Sequence, residues 1–215
     1  MTGVFITFEG IEGSGKSTQI NLLADRLRAD GWQVVVTREP GGTPAGQALR
    51  KILLDPATGS LDSLTELLLF SAARRELVSK IIAPAVSAGQ IVLCDRFADS
   101  TVAYQGYGRG MDISSIKSIT QMVCGDAWPD KTIILDLPVE DGLKRASARF
   151  AVEGHAEARF EYEGVKFHIR VREGFQKIAQ AEPERVTLIG ATGDVEDVAL
   201  SVYESVKRIL PARNA

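Results

Sequence analysis

The chain has 215 residues, of which 45% are apolar and 25% are charged, and its formal net charge is −3. These values fit a compact α/β domain and exclude a disordered chain, a collagen and a disulfide scaffold. Sequence-independent binding of nucleic acid needs a basic surface, which an acidic chain disfavours. Nucleic acid is therefore not expected as a partner.

The two cysteines, Cys94 and Cys124, have no paired-ligand spacing. We interpret both as reduced structural residues in a reducing compartment. The N-terminus lacks the layout of a secretory signal, and no apolar run reaches the length of a membrane span. We therefore expect a cytoplasmic protein that does not bind a membrane.

The first predicted strand, residues 4–8, is a run of β-branched and aromatic residues. A glycine-rich turn follows, and a helix then extends from Lys16 to a stop at Gly31. A second apolar strand spans residues 33–37. The loop at 38–44 contains too much proline and glycine for regular structure.

Residues 63–66 read Ser-Leu-Thr-Glu, which is the spacing of a capping box, and they predict a long helix that Gly89 ends. Buried strands are predicted at 90–94 and 131–137, with a helix at 113–123 between them.

A helix then continues to about Phe150, and residues 151–163 are polar without an apolar period. Another helix at 164–181 and a strand at 185–189 follow, and Asp194 caps the last helix. Strands without polar alternation, separated by helices, indicate a parallel sheet that is covered by helices on both faces.

The turn after the first strand matches the phosphate-binding pattern G-x-x-x-x-G-K-[ST] at every fixed position. Its glycines allow consecutive backbone N–H groups to turn towards phosphate oxygens, and the following helix adds its positive N-terminal dipole. Lys16 is placed to reach the β- and γ-phosphates and Ser17 to ligate Mg²⁺. The predicted ATP site comprises Gly10, Ile11, Glu12, Gly13, Ser14, Gly15, Lys16, Ser17 and Thr18.

Three further segments distinguish among the proteins that carry such a loop. They are R-E-P-G-G-T at 38–43, L-F-S-A-A-R at 69–74 and D-R-F-A-D-S-T-V-A-Y-Q-G at 95–106. Together with the loop they occur in the order of the thymidylate kinase family, which the chain resembles from about Val4 to about Ile178. The guanine-reading motif N-K-x-D does not occur in the sequence, which argues against a GTPase.

The resemblance implies a P-loop nucleoside monophosphate kinase fold: an α/β domain over residues 1–215, with a five-stranded parallel sheet, helices on both faces and a mobile lid at about 145–163. It also implies transfer of the γ-phosphoryl group of ATP, with Mg²⁺, to dTMP, which gives dTDP for dTTP synthesis. Family members are homodimers, and we expect one here.

By the same resemblance, Arg96 holds the dTMP phosphate with Arg38 nearby. A guanidinium fork is the preferred group for binding such a dianion. Tyr104 is expected beside the sugar, where its bulk could exclude a 2′-hydroxyl. Glu12 matches the acidic residue of the family near the 3′-hydroxyl.

The base is expected to stack on Phe70, and Arg74, four residues further along the same helix face, to donate a hydrogen bond to a base carbonyl. Thr101 and Gln105 are expected to approach the base. Asp95 ends an apolar strand like a Walker-B aspartate, and either binds Mg²⁺ through water or orients Arg96.

Some members of the family carry a transition-state arginine inside the phosphate loop, at the position that Gly13 occupies here. The bacterial-type branch places it in the lid, so we assign catalytic roles to Lys16, Arg96, Arg159 and Arg149. Arg159-Phe160-Glu161 resembles the lid motif D-R-F-E, with Ala158 in place of aspartate.

Two other readings stay open from the residues alone. One is a kinase of the same fold that takes dUMP, another nucleotide or a non-nucleotide acceptor. The other is a regulatory protein that binds ATP without turnover. Phosphorylation assays with different acceptors separate these possibilities.

Overall fold

The computed structural model describes residues 3–153, 159–160 and 163–211, and the side chains at 149–153 lie outside this description. A parallel five-stranded sheet in the order β2-β3-β1-β4-β5 forms its centre. The strands are β1 (Val4–Glu9), β2 (Val34–Arg38), β3 (Ile91–Asp95), β4 (Lys131–Asp136) and β5 (Val186–Gly190). Each predicted strand is confirmed to within one residue at either end.

Helices connect these strands and cover both faces of the sheet. Their bounds are α1 (Lys16–Ala29), α2 (Pro44–Leu54), α3 (Ser63–Leu77), α4 (Ala83–Ser87), α5 (Ala98–Thr101), α6 (Ile113–Cys124), α7 (Val139–Glu153), α8 (Val165–Ala181) and α9 (Val195–Lys207). A 3₁₀ turn lies at Pro56–Thr58, and π-helical segments follow α3 at Val78–Ile82 and α5 at Val102–Gly108.

Strand β4 illustrates how the sheet is buried on both sides. Ile133 and Leu135 pack into the core formed with α1 and α9, whereas Ile134 packs into the core formed with α8. Successive side chains of a strand point to opposite faces, so the middle residues of this strand are apolar on both faces. Cys94 and Cys124 are buried free thiols, as expected.

The long helix predicted after residue 63 is correct in extent, but its capping box is wrong. Asp62 is the N-cap, and its carboxylate accepts hydrogen bonds from the backbone N–H groups of Leu64 and Thr65. Glu66, expected to complete the box, is fully buried and turned towards other partners. The cap at Asp194 is confirmed, because its carboxylate accepts from the Glu196 N–H.

The register of the sheet brings three strand ends together. Asp95 lies opposite Phe8 of β1 on one side and opposite Arg38 of β2 on the other. All strands are parallel, so their carboxyl ends share one edge of the sheet, where ligands of open α/β folds bind. Within the described residues, no helix is both long and apolar enough to cross a membrane.

Candidate active site

The phosphate loop joins β1 to α1 and closes against the start of α7. Gly10, Gly13 and Gly15 all have positive φ angles, and Gly15 is the N-cap of α1. A Cβ on Gly13 would lie 2.2 Å from the carbonyl oxygen of Gly142, and one on Gly142 would lie 2.6 Å from that of Glu12. Two glycines in contact therefore let the loop backbone lie directly on α7.

The ammonium group of Lys16 lies inside this loop. Its Nζ donates to the carbonyl oxygens of Gly10 at 3.2 Å and Ile11 at 2.9 Å. Burial, with the nearby charge of Arg96, lowers the pKa of Lys16 to about 8. A buried cation that binds only neutral oxygens is ready to accept an anionic phosphate.

Ser17 and Asp95 come together beside the loop. The Ser17 hydroxyl donates to Asp95 Oδ2 at 3.0 Å. No group of three or more His, Cys, Asp or Glu side chains among the described residues could hold a metal ion. Mg²⁺ needs no such cage, since it is normally bound through one or two protein oxygens together with phosphates and water.

Arg96 follows β3 in the left-handed region, with a φ of 66°. This conformation is costly for a residue with a Cβ and persists only where surrounding contacts enforce it. Its N–H donates to the carbonyl of Phe8, and its guanidinium donates to the Gly10 carbonyl and the Ser100 hydroxyl. The left-handed backbone conformation thus directs the Arg96 guanidinium back over the phosphate loop.

Glu12 is the acidic partner of this fork. Arg96 donates to its Oε1 at 3.0 Å, and the Tyr104 hydroxyl donates to the same oxygen. Burial by itself would raise the pKa of Glu12, but Arg96, His168 and Lys16 lower it well below its usual range. Glu12 is therefore an anion that is fixed between the loop and the segment after β3.

Glu9, at the end of β1, supports the same segment from beneath. Its carboxyl group accepts from the Phe97 N–H at 2.8 Å and from both the backbone and the hydroxyl of Ser100. Complete burial, together with the charge of Asp99, raises the pKa of Glu9 to about 8. Glu9 was not among the site residues predicted from the sequence.

A cavity of about 710 Å³ extends along the carboxyl edge of the sheet. At the β2 side it is lined by Arg38, Pro40 and Arg50, and at the β5 side by Ala191, Gly193 and Val195. The phosphate loop lies between these ends, because β1 is the central strand. One continuous cavity can therefore hold two ligands that meet at the loop.

Most residues predicted to bind dTMP line this cavity. They are Glu12, Arg38, Phe70, Arg96, Thr101, Tyr104 and Gln105. Arg74 is not among the lining residues: it is fully buried, forms a bidentate ion pair with Glu39 and donates to the Thr101 hydroxyl. Its Nη1 has no hydrogen-bond partner among the described residues, so one donor remains available.

The two arginines predicted to act from the lid are Arg159 and Arg149. Arg159 does not line the cavity: it donates to Glu66 at 2.6 Å and to the Leu53 carbonyl. The side chain of Arg149 lies outside the described residues. Arg145, one turn earlier on α7, does line the cavity.

Glu66 connects Arg159 to the predicted base site. It accepts from Gln105 at 2.9 Å and from Arg109 at 3.2 Å. Burial acts to raise the pKa of Glu66, but Arg109, Gln105 and Arg159 together lower it. The carboxylate therefore remains ionised at the centre of a buried charge cluster.

Two residues that line the cavity, Arg50 and Gln19, were not predicted from the sequence. Arg50 lines the cavity and donates to the Pro40 carbonyl at 2.8 Å. Gln19 also lines it, and donates to the Val195 carbonyl at 3.0 Å. Their one sequence signal was position: Gln19 follows the phosphate loop directly, and Arg50 lies on α2, a helix that we did not predict.

Comparison with known proteins shows the family of the chain. A family model described as thymidylate kinase matches residues 8–202. The chain belongs to the thymidylate kinase family. A thymidylate kinase of Desulfovibrio desulfuricans (strain ATCC 27774 / DSM 6949 / MB) is 50% identical over 212 residues, which cover 98% of either chain.

Two other relatives agree. The thymidylate kinase of Geobacter sp. (strain M21) is 50% identical over 207 residues, covering 96% of this chain and 92% of the relative. The crystal structure of thymidylate kinase from Ehrlichia chaffeensis has a TM-score of 0.77 at 40% identity, and the match covers 96% of this chain and 99% of that one. The predicted P-loop nucleoside monophosphate kinase fold is confirmed.

Proposed function

We propose that the chain is an ATP:dTMP phosphotransferase, which transfers the γ-phosphoryl group of ATP to dTMP and gives dTDP for dTTP synthesis. Membership of the thymidylate kinase family carries this conclusion. The cavity adds support, because the phosphate loop, Arg38 and Arg96 line one space large enough for two nucleotides.

ATP binds with its phosphates in the loop Gly10–Thr18 and its base towards the β5 side of the cavity. The loop amides and Lys16 hold the β- and γ-phosphates. Ser17 and Asp95 supply the oxygen ligands for Mg²⁺, which neutralises phosphate charge when it is bound with ATP. The 3.0 Å separation of their oxygens supports this assignment.

dTMP binds at the β2 side, with its phosphate on Arg96 and Arg38. Tyr104 and Glu12 flank the sugar. The base lies against Phe70, Thr101 and Gln105. Arg74 supports the base site by donating a hydrogen bond to the Thr101 hydroxyl.

The acceptor is already an ionised phosphate oxygen, so the reaction needs no strong general base. Catalysis consists of alignment and charge neutralisation, to which Lys16 and arginines contribute. Arg159 and Arg149 belong to a lid at about 145–163 of a single domain over residues 1–215. For Arg159 to reach the transferring group, it must leave Glu66, so donor binding must rearrange this contact.

We also propose a homodimer located in the cytoplasm. Exposed apolar residues on neighbouring helices support the dimer: they are Leu64 and Leu68 on α3 and Met122 on α6. The cytoplasmic location stays a prediction from the sequence.

A coupled assay of ADP release with a panel of monophosphates tests the activity. We expect dTMP to give the highest kcat/KM with Mg²⁺ and ATP. A clear preference for another acceptor would make the chain a different small-molecule kinase. ATP binding without acceptor-dependent ADP release would make it a regulatory protein.

A further inference from the structure

A buried histidine and a buried carboxylate oxygen face each other beside the cavity, and neither has a hydrogen-bond partner among the described residues. His168, on α8, is 1% exposed, and neither of its ring nitrogens has a hydrogen-bond partner among the described residues. Glu12 Oε2 is likewise buried and without one. His168 Nδ1 and Glu12 Oε2 are nevertheless only 3.3 Å apart.

Buried polar atoms without partners are rare, because each carries an uncompensated desolvation cost. These two lie at hydrogen-bond distance, so a proton on Nδ1 and a small rotation of the ring satisfy both. The other oxygen of Glu12 already accepts from Arg96 and Tyr104. A bond from His168 would therefore fix the one oxygen that these residues leave unbound.

We infer that His168 is a positioning residue, which holds the Glu12 carboxylate in place for the 3′-hydroxyl of the bound monophosphate. His168 does not line the cavity, whereas Glu12 does. The histidine thus acts through the carboxylate and not on the substrate. This inference rests on the proposed function, since it gives Glu12 a sugar hydroxyl to bind.

The competing explanation is packing. The His168 ring lies edge-on to Phe167, at 5.4 Å between centroids, in a region rich in aromatic side chains. If the ring only fills space, phenylalanine should replace it best. If it orients Glu12, a smaller side chain with a donor at the position of Nδ1 should do better.

Three variants separate these roles: His168→Asn, His168→Leu and His168→Phe. Asparagine and leucine are close in size, but only asparagine places an N–H donor near the position of Nδ1. The readout is kcat/KM for dTMP and for 3′-deoxy-dTMP. Thermal unfolding of each variant shows whether it is folded.

We expect His168→Leu and His168→Phe to lower kcat/KM for dTMP about tenfold, the usual effect of losing a hydrogen bond to a charged group. The decrease should be smaller for 3′-deoxy-dTMP, so the preference for a 3′-hydroxyl shrinks. His168→Asn should retain most of that preference. If His168→Phe keeps it and His168→Asn loses it, His168 has a packing role and the inference is overturned.

A second measurement does not depend on catalysis. The ring-nitrogen NMR signals of His168 can be assigned by comparison with His155→Gln, because the chain has only two histidines. We expect a protonated Nδ1 whose signal moves in Glu12→Gln. An unprotonated Nδ1 would overturn the inference, even if the wild-type protein did not phosphorylate dTMP. Absence of that activity alone would count against the proposed function.

Discussion

The residues that shape this site are mostly buried charges whose partners come from distant parts of the chain. Glu9 is the clearest single case. Its pKa is raised from 4.5 to about 8, so the folded protein retains a proton that the unfolded chain releases above pH 4.5. Between these two values, each increase in pH therefore favours the unfolded state through this group.

Glu9→Gln should remove this dependence, because the amide mimics the protonated carboxyl group towards Phe97 and Ser100. The wild-type free energy of unfolding should decrease relative to that of the variant as pH rises from 5.5 to 7.5. The slope from a single group is at most about 1.4 kcal/mol per pH unit. Urea unfolding at several pH values measures it, with Glu204→Gln on the exposed face of α9 as the control. Parallel pH curves for wild type and Glu9→Gln would refute the assignment.

Arg159 should show a different signature, in catalysis. An arginine that neutralises the transferring phosphoryl group typically contributes about 10³–10⁵ to kcat. We expect Arg159→Ala to lower kcat by a factor in that range, while the affinity for ATP changes little. Steady-state kinetics with equilibrium ATP binding check both quantities.

The control for Arg159 is its buried partner. Glu66→Gln breaks the ion pair but leaves the arginine in place. If Arg159 acts only through its ion pair with Glu66, this variant should lose as much kcat as Arg159→Ala. An unchanged kcat in Arg159→Ala would remove the residue from the mechanism.

At the scale of elements, the contact between the phosphate loop and α7 is the most constrained part of the site. An alanine in place of a helical glycine normally stabilises by about 1 kcal/mol. Near the start of α7 we expect the opposite, because a Cβ on Gly142 would meet the Glu12 carbonyl at 2.6 Å and Ile11 Cδ1 at 2.8 Å.

Gly142→Ala should therefore destabilise the fold by about 1–3 kcal/mol, as overpacking usually does, and should raise KM for ATP by displacing the loop. Denaturant unfolding and steady-state kinetics measure these effects. Gly190→Ala is the control: a Cβ there would meet nothing within 4 Å, so both quantities should stay close to wild type. If Gly142→Ala were more stable than wild type, the loop could move away from the added Cβ and the prediction would be wrong.

The elements that could be predicted from sequence are those with a periodic or punctuated pattern. The five strands were predictable as apolar runs, and the phosphate loop as a fixed motif. Helix α2 was missed because it begins at Pro44, the last residue of the loop rich in proline and glycine that was predicted at 38–44. The capping box failed because Asp62, one residue earlier, is the N-cap, so the third helical residue is Thr65 and not Glu66.

The π-helical segments had no local signal. Val102–Gly108 is held by packing against α8, which places Tyr104 and Gln105 towards the cavity. The partners of Glu66 were unpredictable for the same reason. They come from residues 105, 109 and 159, and such pairings follow from the tertiary fold rather than from spacing along the chain.

At the scale of the whole molecule, the sheet order explains how one cavity can serve two substrates. Strand β1 is central, so the phosphate loop divides the carboxyl edge into a β2 side and a β5 side. Beside the loop, Arg96, Glu12 and Lys16 lie close together, and the attraction between their opposite charges offsets the cost of burying them. Outside the cavity, the fold also exposes apolar side chains on α3 and α6.

Leu64 and Leu68 lie one turn apart on α3, with side chains that are 50% and 51% exposed. Adjacent apolar side chains on one helix face favour association, whereas scattered ones are normal on any surface. We therefore expect Leu68→Glu to convert a dimer into a monomer, because a carboxylate buried in an apolar interface without a partner is costly. Light scattering after size-exclusion chromatography measures the mass. Leu200→Glu, on α9 with 53% exposure, is matched in size and exposure and should remain dimeric. If the wild type is a monomer at micromolar concentration, or if both variants dissociate equally, the α3 face is not the interface.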